Sequence, residues 1–199
     1  HITVSQKLYY NPNPNLSVLV YGSSFFMNTY DLIQDMTFSQ ARDWTAGTKV
    51  TYHVKDWFSV TGSLHADFYD RFKRHERIDK RQKDYESSIY QPRLTVTSNY
   101  FNGHSLILGM EHTSDELTSD RFSGNANHDL KTRALKETEY FLQDEWTINP
   151  RWMISAGIRT NFSKAFGFMG MPKVAAKYSP DKHWSLRANY SMGYRSPSI

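Results

Sequence analysis

Two runs of sustained alternation limit what this chain can fold into. From Trp152 to Phe162 the even positions are Trp152, Ile154, Ala156, Ile158, Thr160 and Phe162, nearly all apolar. The odd positions are Met153, Ser155, Gly157, Arg159 and Asn161, mostly small or polar. From Trp184 to Tyr194 the pattern repeats, with Trp184, Leu186, Ala188, Tyr190, Met192 and Tyr194 set against Ser185, Arg187, Asn189, Ser191 and Gly193. Successive strand side chains point to opposite faces, so each run is a strand with one apolar and one polar face. Each spans 11 residues by inclusive count, 152 to 162 and 184 to 194. Soluble strands are usually about 5–6 residues, whereas a tilted strand crossing a bilayer needs about 9–11.

The same stretch carries a family resemblance. The phrase YFLQDEW at 140–146, a turn, and a strand containing Ala156-Gly157 and Arg159 resemble TonB-dependent outer-membrane receptors. So does the closing LRANYSMGYRSPSI at 186–199. The resemblance is strong over Glu137–Ile199 and only architectural over residues 1–136. It implies an all-β antiparallel meander of long strands, a segment of a barrel of about 22 strands around a plugged lumen. Residues 1–199 would then form a partial barrel domain, with the plug, TonB box and remaining strands lying outside it. The implied function is active, TonB-coupled uptake of a scarce solute across the outer membrane of a Gram-negative cell: an iron chelate (siderophore uptake), haem, cobalamin or a glycan. The implied partners are TonB, acting through the plug, the lipid bilayer with its lipopolysaccharide, and a small-molecule ligand. Open sheet edges would let the piece self-associate. Other readings of the alternation are a passive porin, a barrel enzyme, or a soluble antiparallel binding domain.

Composition agrees with a barrel. No apolar run reaches the 18 or so residues of a spanning helix, and the negative mean hydropathy fits a wall in which only alternate residues face lipid. The net charge of +4, from 24 basic and 20 acidic residues, is small and scattered, which argues against nucleic acid as a partner. Cysteine is absent, which excludes disulfides and thiolate metal sites.

Read in order, the chain predicts about ten strands: 2–10, 16–27, 44–54, 58–68, 88–100, 104–113, 136–147, 152–162, 172–178 and 184–194. Pro92 argues for a locally unpaired site in the fifth. Short connections at 11–15, 55–57, 101–103, 148–151 and 179–183 alternate with longer ones at 28–42, 70–86, 114–135 and 163–171. Turns on one side and loops on the other match periplasmic turns and extracellular loops. Trp57, Trp146, Trp152, Trp184, Tyr10, Tyr100 and Tyr178 cluster beside the short turns as a girdle at the lipid headgroups. Trp44 stands where an opposite girdle would lie.

The sequence supports no enzyme, catalytic set, cofactor or metal centre. His53 pairs opposite about Ser59, so His65 lies about 20 Å further along and cannot share a metal with it. Asp144 and Glu145 point to opposite faces and make no acid/base pair. Candidate ligand-binding residues are cationic. Arg71, Arg74, His75 and Arg77, with Lys73, make the 70–86 segment an anion-attracting rim, although a solvated charged loop or strand extension reads equally well. Arg187 and Arg195 project to the polar face with Arg159, which reads better as a cross-strand partner of Glu139. Pairing Trp146 with Trp152 across the turn at 148–151 would set Leu142 opposite Ala156, Tyr140 opposite Ile158, Phe141 opposite Gly157 and Glu139 opposite Arg159.

Overall fold

The computed structural model describes residues 1–31, 37–75, 80–122 and 130–193. They form a single ten-stranded sheet in sequence order. The strands are β1 (Ile2–Asn13), β2 (Leu16–Asp31), β3 (Thr37–Lys55), β4 (Phe58–His75), β5 (Lys80–Ser98), β6 (His104–Ser119), β7 (Lys131–Asn149), β8 (Trp152–Ser163), β9 (Gly167–Tyr178) and β10 (Leu186–Ser191), with one 3-10 turn at Asp120–Phe122. Every neighbouring pair is antiparallel, and β1 and β10 are unpaired at the two edges, so the barrel is open.

Parity organises the whole sheet. Outside the turn-side bulges and the top of β5 beyond Asp84, where residues 80–83 pair with opposite parity, every cross-strand pair joins two even or two odd positions. Even residues outside 80–84 therefore share one face from Ile2 to Tyr190. That face carries the exposed apolar side chains, among them Val4, Val50, Tyr52, Leu64, Leu94, Leu108, Leu142, Ile158 and Val174. The few buried residues are odd (Ala41, Leu117, Ser119 and Asn161), apart from Asp84. Crowding on the odd face and splaying on the even face are what a curled sheet gives to its concave and convex sides.

Two rings of aromatics bound the apolar band. Beside the short turns Trp57 packs on Tyr100 with centroids 4.8 Å apart, and Trp152 stacks on Tyr178 at 4.4 Å. Towards the other end Phe26 meets Trp44 and Phe68 meets Tyr90, both at 5.4 Å, and Phe162 contacts Phe168 at 4.8 Å. The girdle expected at the turns has its counterpart at Trp44.

The strands outrun the sequence expectation on the loop side. β3, β5 and β7 each hold 19 residues and β4 holds 18. At about 3.3 Å per residue such strands reach roughly 60 Å, and their tilt still carries them well past an apolar band about 25 Å tall. The segments 28–42, 70–86 and 114–135, read as loops, are thus largely strand extensions, and 163–171 contracts to a turn closed by Gly167 at φ 77°. Above the membrane both faces of a strand meet water, so alternation disappears while backbone pairing continues. The loop tips at 32–36, 76–79 and 123–129 lie outside the described residues. At Pro92 the pairing of β5 with β6 lapses between Tyr90 and Arg93 without losing register.

The register of β7 on β8 differs from expectation by two residues. Trp146 lies opposite Ile154, Leu142 opposite Ile158, Tyr140 opposite Thr160, Phe141 opposite Arg159 and Glu139 opposite Asn161. The turn decides this. Asn149 pairs with Trp152 around Pro150-Arg151, and its Oδ1 accepts the N–H groups of Arg151 and Trp152 at 2.9 and 3.0 Å. Ile148 is pushed out as a bulge, which tightens the connection and slides the partner strand. Asn13-Pro14-Asn15-Leu16 and Lys55-Asp56-Trp57-Phe58 repeat the arrangement of a two-residue turn beside a register shift. Room for the Phe141 ring comes from Gly109 on β6, where an added Cβ would collide with it. Asp144, on the lipid face, is held by His104 Nδ1 at 2.8 Å, and that imidazole stacks on Trp146.

Candidate functional site: the polar face of the sheet

The odd positions line the concave face with hydroxyls, amides and charges. At its loop end, β4 and β5 meet at a bulge: Arg71 pairs with Tyr85 and Phe72 with Lys83, leaving Asp84 as the extra residue. The bulge turns Asp84 in among cations. Arg71 donates to it from Nε at 3.2 Å to each oxygen and from Nη2 at 2.8 Å, and Lys73 Nζ lies 3.0 Å away. Burial pushes the Asp84 carboxyl up, but the hydrogen bonds from Arg71 and Lys73 outweigh it and hold it below the usual range. The same bond raises Arg71 above its ordinary value. Asp84 is also anchored through its backbone carbonyl, which accepts from Ser119 Oγ on β6 at 3.3 Å.

Next to this cluster stand Asp43, Asp67, Tyr69, Tyr85 and Ser87, lining a cavity with Arg71. Asp67 accepts from Thr45 Oγ1 at 2.9 Å. Burial raises the carboxyl of Asp43, with Asp67 adding to the shift, and burial raises Asp115. Arg71 is therefore committed to Asp84, with carboxylates around it. Its role in an anion-attracting rim is correspondingly reduced.

Halfway down the wall, Phe141 lies between two guanidinium groups. Arg93 is 4.8 Å and Arg159 5.9 Å from its ring centroid. Arg93 reaches Glu111 at 3.4 Å and Arg159 reaches Glu139 at 3.0 Å. The Glu139–Arg159 pair thus forms across the diagonal, because a two-residue slip keeps both on one face. On β2–β4 the Tyr21 ring covers Gly47 and its hydroxyl meets His65 Nδ1 at 3.0 Å. His53 lies opposite Ser59, as its turn predicts.

In register, Arg74 lies opposite Arg81 and His75 opposite Lys80, at the top of β4. Their side chains, and the whole of Arg77 and Arg195, lie outside the described residues. Arg187 is on the polar face of β10, opposite Lys177 on β9. Of these candidates, Arg71 on β4 and Arg187 on β10 are described, and they lie on strands far apart in the sheet. Sequence reasoning missed Asp84, Arg93 and Phe141. Alternation is unreadable in the charged Lys83-Asp84-Tyr85 stretch, and a bulge there leaves no mark in composition. Arg93 could have been found from its odd position beyond Pro92.

Known proteins share this architecture. The family described as TonB dependent receptor-like, beta-barrel matches residues 3–199. Iron-regulated outer membrane virulence protein of two Vibrio cholerae strains is 24% identical over 153 residues, covering 74% of this chain and 21% of the relative. The siderophore receptor PirA from Acinetobacter baumannii superposes with a TM-score of 0.77 at 12% identity, over 98% of this chain and 33% of that one. The unliganded ferric citrate transporter FecA gives 0.69 at 11%, over 94% and 35%. The chain thus spans about a fifth of the curated relatives it matches and about a third of these receptor structures.

Proposed function

The chain belongs to the TonB-dependent receptor family of outer-membrane β-barrels, and from that premise we propose that it is a wall section of a receptor that actively takes up a scarce solute, powered by TonB through a lumenal plug. The observation that carries the reading is the pairing of two aromatic rings on the convex face with a charged concave face that continues above the loop-side ring. Such a wall holds its place in lipid and presents fixed charges to a lumen. The relatives named for iron regulation, siderophores and ferric citrate favour an iron chelate over haem, cobalamin or a glycan as the solute.

In this reading the extended strand tops carry the first contacts with solute. Arg74 and His75, at the top of β4, belong to that rim in this proposal, and Arg187 on β10 to the wall below. The outer surface above the loop-side ring faces lipopolysaccharide. The test is uptake of radiolabelled ferric chelates by cells that produce the whole receptor, with TonB present or deleted. Accumulation that requires TonB is expected. Accumulation that persists without TonB would make the protein a passive pore.

A further inference from the structure

One carboxylate stands by itself in the lipid band. Between the two aromatic rings, the even positions of the ten strands hold no Lys, Arg or Glu among the described residues, and Asp144 on β7 is their only Asp. Its surroundings are apolar: Leu106 and Ala156 lie opposite it, and Leu142 and Trp146 flank it along β7. It lies two residues, about 7 Å along the strand, inside the turn-side ring at Trp146. Ionisable residues on a lipid face are rare and mark functional sites. The chain gives this one a single hydrogen bond, from His104 Nδ1 to Oδ2 at 2.8 Å; Oδ1 is covered and has no partner. His104 lies flat against Trp146, with ring centroids 5.2 Å and planes 9° apart. The His104 and Asp144 side chains are 32% and 36% exposed, so a headgroup can touch them. β6 and β7 each have a described strand on both sides, and the convex face turns away from the lumen, so what meets this site is the membrane.

We propose that Asp144, with Trp146 beside it, docks the primary ammonium headgroup of a phospholipid of the phosphatidylethanolamine class in the turn-side leaflet. An ammonium carries three N–H donors and meets a carboxylate to which His104 supplies only one. The same cation is drawn to the half-exposed indole of Trp146. A quaternary ammonium such as choline has no N–H to donate and keeps only the attraction to the ring. An anionic headgroup is repelled by the carboxylate. The site therefore selects among lipids, and it ties the turn end of the wall to one lipid class. This holds whatever solute the receptor carries.

The test places the whole receptor in vesicles of equal parts phosphatidylcholine and phosphatidylethanolamine, with bromine on the acyl chains of one lipid or of the other. Bromine quenches indole fluorescence on contact. The emission of Trp146 is the difference between each protein and the same protein carrying Trp146→Phe. Brominated phosphatidylethanolamine should quench Trp146 as though about threefold enriched over brominated phosphatidylcholine, the ratio expected of an exposed charge pair. Asp144→Asn should bring that ratio to one. His104→Phe keeps both the carboxylate and a ring against Trp146, so it should keep the preference. Equal quenching by the two lipids in the unaltered receptor would overturn the proposal, as would a preference that persists in Asp144→Asn. A preference lost in His104→Phe would assign recognition to the imidazole and overturn it as well.

Discussion

The wall built by β3–β6 and the wall built by β8–β10 use charge in opposite ways. On the first, four cations are neutralised where they stand: Arg71 and Lys73 by Asp84, Lys83 by Asp70 at 2.6 Å and Glu86 at 2.9 Å, and Arg93 by Glu111. On the second, Lys173, Lys177 and Arg187 stand without counter-ions among the described residues, two of them face to face. A paired charge on a sheet fixes neighbouring strands and is costly to break once half-buried. A like-charged pair adds nothing to the pairing of the two strands that carry it. The difference teaches which charges tie neighbouring strands of this sheet together.

That contrast can be tested on the receptor carrying this chain. The largest effect is all-or-none and concerns β7 and β8, where the two walls join. Cysteines at Phe141 and Arg159 should form a disulfide on mild oxidation, since directly paired residues lie about 4.5–5.5 Å apart. Cysteines at Phe141 and Gly157 should not, because diagonal neighbours are about 7–8 Å apart. The reverse result, read by gel mobility and mass, would restore the register that places Phe141 against Gly157.

Next comes Gly109→Val. Its side chain would meet the Phe141 ring and the Leu94 carbonyl. Overpacking of this kind costs about 3 kcal/mol, visible as a lower temperature for loss of the heat-resistant folded band. Gly62, which has nothing within 4 Å of an added Cβ, should accept alanine with little change. Equal losses at the two glycines would break the packing account.

Asp84→Asn should cost about 2 kcal/mol, because two cations lose their charged acceptor. Asp84 is held below its unfolded value, so its contribution is present above about pH 4 and is lost as pH falls through the folded value. The wild type and the variant should therefore converge in stability in acid. A gap between them that persists at low pH would mean that the carboxylate charge is not what counts.

The smallest effect has the opposite sign. Lys177→Gln should raise stability by a few tenths of a kcal/mol, since it removes a like-charge pair. A loss of stability would show that Lys177 has a structural partner and would erase the contrast between the walls.

Much of this was legible in the residues. Trp152–Phe162 and Phe58–Phe68 declare their faces, because lipid penalises a polar side chain on one side only. The rings follow from Trp57, Tyr100 and Trp152 standing beside turns. Arg187 could be placed on the polar face by parity alone. The strand tops at Asp70–His75 and Lys80–Glu86 could not be told from loop, since water tolerates either face there.

The sequence by itself determined strand number, facing, the sidedness of turns and loops, and the membrane setting. All of these depend on which side chains lipid accepts, a property each residue carries alone. Only the tertiary structure decided which residues meet. The Asn149 side chain closing on two backbone N–H groups slid β8 by two positions. One extra residue at Asp84 brought a carboxylate to Arg71 and Lys73. The pairing of β9 with β10 set Lys177 against Arg187. Register and bulges are settled by hydrogen bonds between strands, and no single strand contains that information.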